Sequence, residues 1–139
     1  MKVINEYALF APLLSYVLWV VILYVLLTII RAPNIWGTVE NPDDCHPFFN
    51  LEKSTSANLS NQFEWPVLFY VICIILIARP DLYQSAYLWA AWMFVIGRVV
   101  HSIVQIVSTN IRLRGSVFNI NFLAVLFMWG ILALDILSK

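Results

Sequence analysis

Charge is scarce in this sequence. Of 139 residues, eight are Lys or Arg and eight are Asp or Glu, so the formal charges cancel. A neutral chain lacks the cationic surface that displaces counterions from a phosphate backbone, which excludes nucleic acid as a partner. Cysteine is nearly absent as well. Cys45 falls in a polar stretch and Cys73 in an apolar run, with no C-x-x-C. That spacing excludes a dithiol exchanger and argues against a structural disulfide. Metal-capable side chains gather only in "DDCHP", Asp43 to Pro47, with no second cluster to complete a site, so no metal is expected. Long polar stretches are also missing, which leaves no length for a soluble domain.

What fills the chain is apolar. Hydrophobic residues make up 62% of it, against roughly half in a soluble domain. Crossing a bilayer takes roughly 20 apolar residues. Four segments meet that length: Tyr7–Ile30, Asn58–Ala78, Ser85–Ser108 and Ser116–Leu137. The expected fold class is all-α and integral to the membrane, one domain over 1–139. The first segment has only Lys2 ahead of it, exceeds the length of a signal-peptide core and is followed by no small-x-small site, so it reads as a permanent span. The connections "RPDLYQ" and "STNIRLRGS" are short, which predicts an up-down four-helix bundle. The first loop, from Arg31 to about Ala57, is the long one, and its prolines predict little regular structure before Ser54.

Loop charge gives a weak orientation. Loops one and three carry Arg31, Lys53, Arg112 and Arg114, against Lys2, Arg79 and Lys139 on the other side. This bias places loops one and three in the cytoplasm. Few lysines and short termini point to a bacterial inner membrane.

The polar residues inside the spans are not scattered. Arg98, His101, Gln105, Ser108 and Arg112 follow spacings of 3, 4, 3 and 4, one face of a helix. In span two, Ala57, Asn61, Glu64 and Leu68 follow 4, 3 and 4. An isolated charge at the centre of a span costs about 3 kcal/mol on insertion scales, so Glu64 is expected to pair with Arg98, with His101 adjacent. Two roles stay open for this seam: an internal staple that fixes helix register, or a site that also contacts a polar ligand. His101 taken alone reads as a structural histidine. Asn119 and Asn121 read as interhelical hydrogen bonds, and Gly97 as a point of close helix approach.

The stretches "NLSNQFEWPVLF", "GRVVHSIVQ" and "NIRLRGSVFN" together resemble the MAPEG family, the membrane-associated proteins of eicosanoid and glutathione metabolism. The resemblance covers the whole chain and implies a homotrimer of four-helix protomers. It implies glutathione as co-substrate, bound in clefts between protomers, and a lipophilic second substrate entering from the membrane lipids. The implied activity is that of a glutathione transferase or peroxidase. Asn61 and Glu64 match the family's amide and carboxylate that contact glutathione, Arg98 the arginine paired with that carboxylate, and His101 a histidine of the prostaglandin E synthase type; Gln105 stands at another cleft position, and Arg31 matches an arginine ending the first span. Arg114 and Arg112 each match a thiol-proximal arginine of one branch of the family. Both also fit the simpler role of positive-inside anchors. Ala57 and Ser60 stand where relatives carry arginine, Gln105 and Phe118 where they carry tyrosine, and Gly115 where they carry serine. These departures imply a second reading, a family member that binds a lipid or another anionic ligand without glutathione chemistry. A four-span transporter is disfavoured, because the first span has no acidic residue at its centre.

Overall fold

The computed structural model describes residues 7–37, 48–108 and 110–138. "DDCHP", with its metal-capable side chains, lies outside the described residues. Within them the fold is all-helical: α1 (Phe10–Ile35), α2 (Phe49–Asn61), α3 (Val67–Ala78), α4 (Ser85–Val107) and α5 (Ile111–Leu137), with one 3-10 turn at Pro80–Leu82. Three of these helices, α1, α4 and α5, are long and apolar enough to cross a membrane, and α3 is apolar but short. Their outward faces are apolar: Leu14, Leu18, Val25 and Ile29 of α1, and Leu123 and Phe127 of α5, are all exposed. With no water in the bilayer core, helices satisfy their own backbone groups while such side chains face lipid.

Three expectations change at the element boundaries. Helix α2 begins at Phe49, earlier than the loop prolines suggest, and Glu52 lies in its first turn, where a carboxylate suits the positive end of the helix dipole. Helix α1 runs on through Arg31 and Pro33 to Ile35. Helix α5 begins at Ile111, so the basic third loop shrinks to three residues. Asn110 sets that start by accepting from the backbone N–H of Arg112 at 3.1 Å and of Leu113 at 3.2 Å. Such an N-cap supplies acceptors to donors that have no partner within the helix.

The largest change is in the second apolar segment. Where a continuous span is expected over 58–78, the chain breaks between Asn61 and Val67. Pro66 has no N–H to return to the Gln62 carbonyl and disfavours helical geometry at Trp65. The backbone crosses the gap on shorter i to i−3 bonds, Gln62 to Leu59 and Phe63 to Ser60 at 3.0 Å, then Val67 to Glu64 at 3.2 Å. Helix α3 alone extends about 18 Å, short of the roughly 30 Å hydrocarbon layer.

The core gathers around α4, which packs on α1, α2 and α5. Tyr16, Phe69 and Phe94 are fully buried. The Phe69 and Phe94 rings stack at 4.1 Å, and Tyr16 meets Phe94 edge-on at 5.2 Å. Helices α4 and α5 approach closely at Gly97, where an added Cβ would collide with the Asn121 side chain, whose Cγ would lie 3.1 Å away. Asn121 is fully buried, yet neither atom of its amide finds a hydrogen-bond partner among the described residues. The interhelical bond expected of it is therefore not made; it acts as a spacer fitted to a glycine. Asn119 is exposed. Gly97→Ala is expected to destabilise the protein by about 1–3 kcal/mol through overpacking. The double variant Gly97→Ala/Asn121→Ala should recover most of that loss. Thermal unfolding in detergent measures both.

Candidate functional site: a cationic cleft at the helix break

The break in the second segment exposes backbone acceptors that a continuous helix would consume. In a regular helix the Asn61 carbonyl would bind the Trp65 N–H. Here it is free, and Arg98 Nη2 donates to it at 2.9 Å. A cationic side chain on the last carbonyls of a helix also opposes the negative end of its dipole. Arg98 is 1% exposed, and the expected carboxylate is not its partner. Its Nε and Nη2 donate to Gln62 Oε1 at 3.2 and 2.9 Å. No ion pair joins Glu64 to Arg98 among the described residues; Glu64 is exposed. The physical reason is the break: the 4, 3, 4 spacing puts Asn61 and Glu64 on one face only if the helix continues through them.

Gln62 is the centre of a buried polar network. Tyr16 Oη donates to its Oε1 at 2.7 Å. Its Nε2 lies 3.1 Å from both the backbone and side-chain oxygens of Asn58 and 3.2 Å from Ser102 Oγ. Trp19 Nε1 donates to the same Ser102 oxygen at 3.2 Å. Gln105 Oε1 accepts from Asn58 Nδ2 at 3.0 Å and from Asn61 Nδ2 at 3.2 Å. Gln62, Asn58, Ser102 and Tyr16 are fully buried. Three helices, α1, α2 and α4, are thus joined by largely buried side chains, which makes each bond costly to break.

Beside this network opens a cleft of about 320 Å³, lined by Asn61, Glu64, Trp65, Arg98, His101, Gln105, Ile111, Arg114, Gly115 and Phe118. Six of the eight residues singled out in the sequence line it: Asn61, Glu64, Arg98, His101, Gln105 and Arg114. Arg112 does not; it is exposed two residues away, and residues two apart on a helix point in different directions. The expected five-residue seam therefore ends with α4 at Val107, and Arg112 belongs to the next helix. Arg31 also lies elsewhere. Its Nε binds Glu52 Oε1 at 2.8 Å and its Nη2 binds Ser56 Oγ at 3.3 Å. It lines a second cleft with Lys53 and Ser60.

Two wall residues carry unsatisfied polar atoms. Trp65 Nε1 and His101 Nδ1 are buried without a hydrogen-bond partner among the described residues. The Trp65 ring lies 4.4 Å from Phe122, and His101 lies 6.0 Å from Phe118. The cleft therefore combines two guanidiniums, one carboxylate, polar amides and aromatic walls. Such a surface suits a small ligand with an anionic group and an apolar part. Gln62, Trp65 and Ile111 were not singled out in the sequence. Pro66 was the available signal for the first two, since it marks where helix periodicity stops.

A helical membrane protein with a polar cleft beside a broken helix is the class that the fold and the site define. The chain belongs to the MAPEG family, which matches residues 9–134. No curated protein and no solved structure matches it.

The network makes separable predictions. Gln62→Ala strips partners from a buried guanidinium and from Tyr16, and should cost about 2–4 kcal/mol. Glu64→Gln, on the exposed rim, should stay within about 0.5 kcal/mol of the parent. Thermal melts of the two variants side by side check this order.

Proposed function

We propose that this MAPEG protein binds glutathione, or a thiol of the same anionic character, in the Arg98 cleft and transfers it to lipophilic electrophiles. The observation that carries this reading is a buried guanidinium in no salt bridge among the described residues, Arg98, beside a second guanidinium, Arg114, on one cleft of small-molecule size. Arg98 and Asn61 receive the tripeptide, Glu64 meets its amino group, and Gln105 turns its remaining amide nitrogen to the ligand. Arg114 lies at the start of α5 and serves the sulfur. His101 and Phe118 form the wall beside it. The protomers form four-segment bundles that assemble as a trimer, as the family resemblance implies.

The chemistry asks for a thiolate. A free thiol has a pKa near 8.5, and lowering it by about 2 units takes close to 3 kcal/mol of preferential stabilisation. A guanidinium beside the sulfur supplies stabilisation of that kind. The thiol proton leaves to solvent, the sulfur lone pair forms a carbon–sulfur bond, and the leaving group departs with its bonding electrons. The electrophile arrives from the lipid along the apolar faces of α4 and α5.

A second reading is favoured by particular residues. Gly115 and Phe118 supply no charge to the cleft, and Ala57 and Ser60 supply none to the second cleft beside Arg31, so a non-enzymatic member that holds a lipid or other anionic ligand also fits. Titration calorimetry with glutathione, together with conjugation to an activated aryl chloride, separates the two. Binding with turnover supports the transferase; neither signal at millimolar thiol rejects it. At pH 7, Arg114→Ala should lower the conjugation rate about 20-fold, because a thiol of pKa near 8.5 is only a few per cent ionised there. The deficit should close toward pH 9.5, where the thiol ionises unaided. Arg112→Ala should match the parent throughout.

A further inference from the structure

A buried arginine ordinarily faces a carboxylate, because an uncompensated charge away from water is expensive. Arg98 instead faces an amide. Both its Nε and its Nη2 end on Gln62 Oε1. That oxygen is already held by Tyr16, and the other end of the same amide is held by Asn58 and Ser102. Gln62 therefore cannot turn away without breaking buried bonds on both sides. Its grip orients the guanidinium and leaves its charge intact. The nearest acidic residue in the sequence, Glu64, is two positions further on, exposed on the same cleft wall, and makes no salt bridge with Arg98 among the described residues.

We infer that Gln62 is a positioning residue that holds Arg98 out of a direct ion pair with Glu64, so that the guanidinium stays available and the cleft selects ligands bearing a carboxylate. A glutamate at this position would offer the same oxygen to Arg98 and cancel its charge. An apolar residue would free the guanidinium to swing to Glu64. In both cases the anion loses its partner, by different routes. This deepens the proposed reading and uses its site, but it does not depend on thiol chemistry.

The test is calorimetry on the full chain in detergent, with glutarate as a thiol-free probe and glutathione in parallel. The wild type should bind glutarate in the millimolar range. Gln62→Glu should weaken glutarate binding at least about tenfold. Gln62→Met should weaken it about five- to tenfold. Adding Glu64→Gln to Gln62→Met should restore affinity to within about threefold of Glu64→Gln alone, a rescue that a purely structural role for Gln62 does not produce. Melting curves establish that each variant is folded, and if Gln62→Glu does not fold, the methionine cycle decides. The inference is overturned if folded Gln62→Glu binds glutarate as tightly as the parent, if Glu64→Gln gives no rescue, or if the wild type binds no glutarate. A wild type that binds glutarate with the expected cycle, but not glutathione, supports the inference while rejecting the thiol reading.

Discussion

A guanidinium buried in a membrane protein needs partners on every side that water would have filled, and the rest of this fold follows from how Arg98 obtains them. One partner is a backbone carbonyl, which exists only because the second apolar segment breaks. The other is the amide of Gln62, which is itself held by α1 and α4. Removing the break would return the Asn61 carbonyl to a helix and take it from Arg98. Irregular backbone in a membrane protein is tolerated where it lines a cavity, and Asn61, Glu64 and Trp65 at this break line the cleft.

The same residue separates a buried network from an open cleft. The network on the buried side of Arg98 joins Tyr16, Asn58, Gln62, Ser102 and Gln105. The cleft on its other side holds Asn61, Glu64, His101 and Arg114. A cation fixed by neutral groups is oriented at the cost of its desolvation. Glu64 belongs to the cleft side of this division, where it is exposed.

Much of the site was legible along the chain. The seam Arg98–His101–Gln105 obeys helix periodicity because α4 is continuous through it, and all three residues are buried. Asn61, Glu64 and Arg114 were likewise identified as site residues, and each lines the cleft. The partner of Arg98 was not legible. Periodicity assigned it to Glu64, but the phase of a helix is lost at a break, and the true partner lies 36 residues away in sequence. Arg112 and Arg114 could not be separated either, since both fitted the same basic loop until Asn110 fixed the first turn of α5.

Composition and spacing alone determined that the chain is helical and apolar enough for a membrane, because apolar length and local period are properties of consecutive residues; the MAPEG family came from the resemblance of three motifs and the match over residues 9–134. Only the tertiary structure decided which groups hold Arg98, that Glu64 stands apart from it, and that Arg114 rather than Arg112 lines the cleft. Those choices rest on hydrogen bonds between distant helices and on the break ahead of Pro66. The proline can be read in one stretch of the chain, but the partners the break exposes Arg98 to cannot.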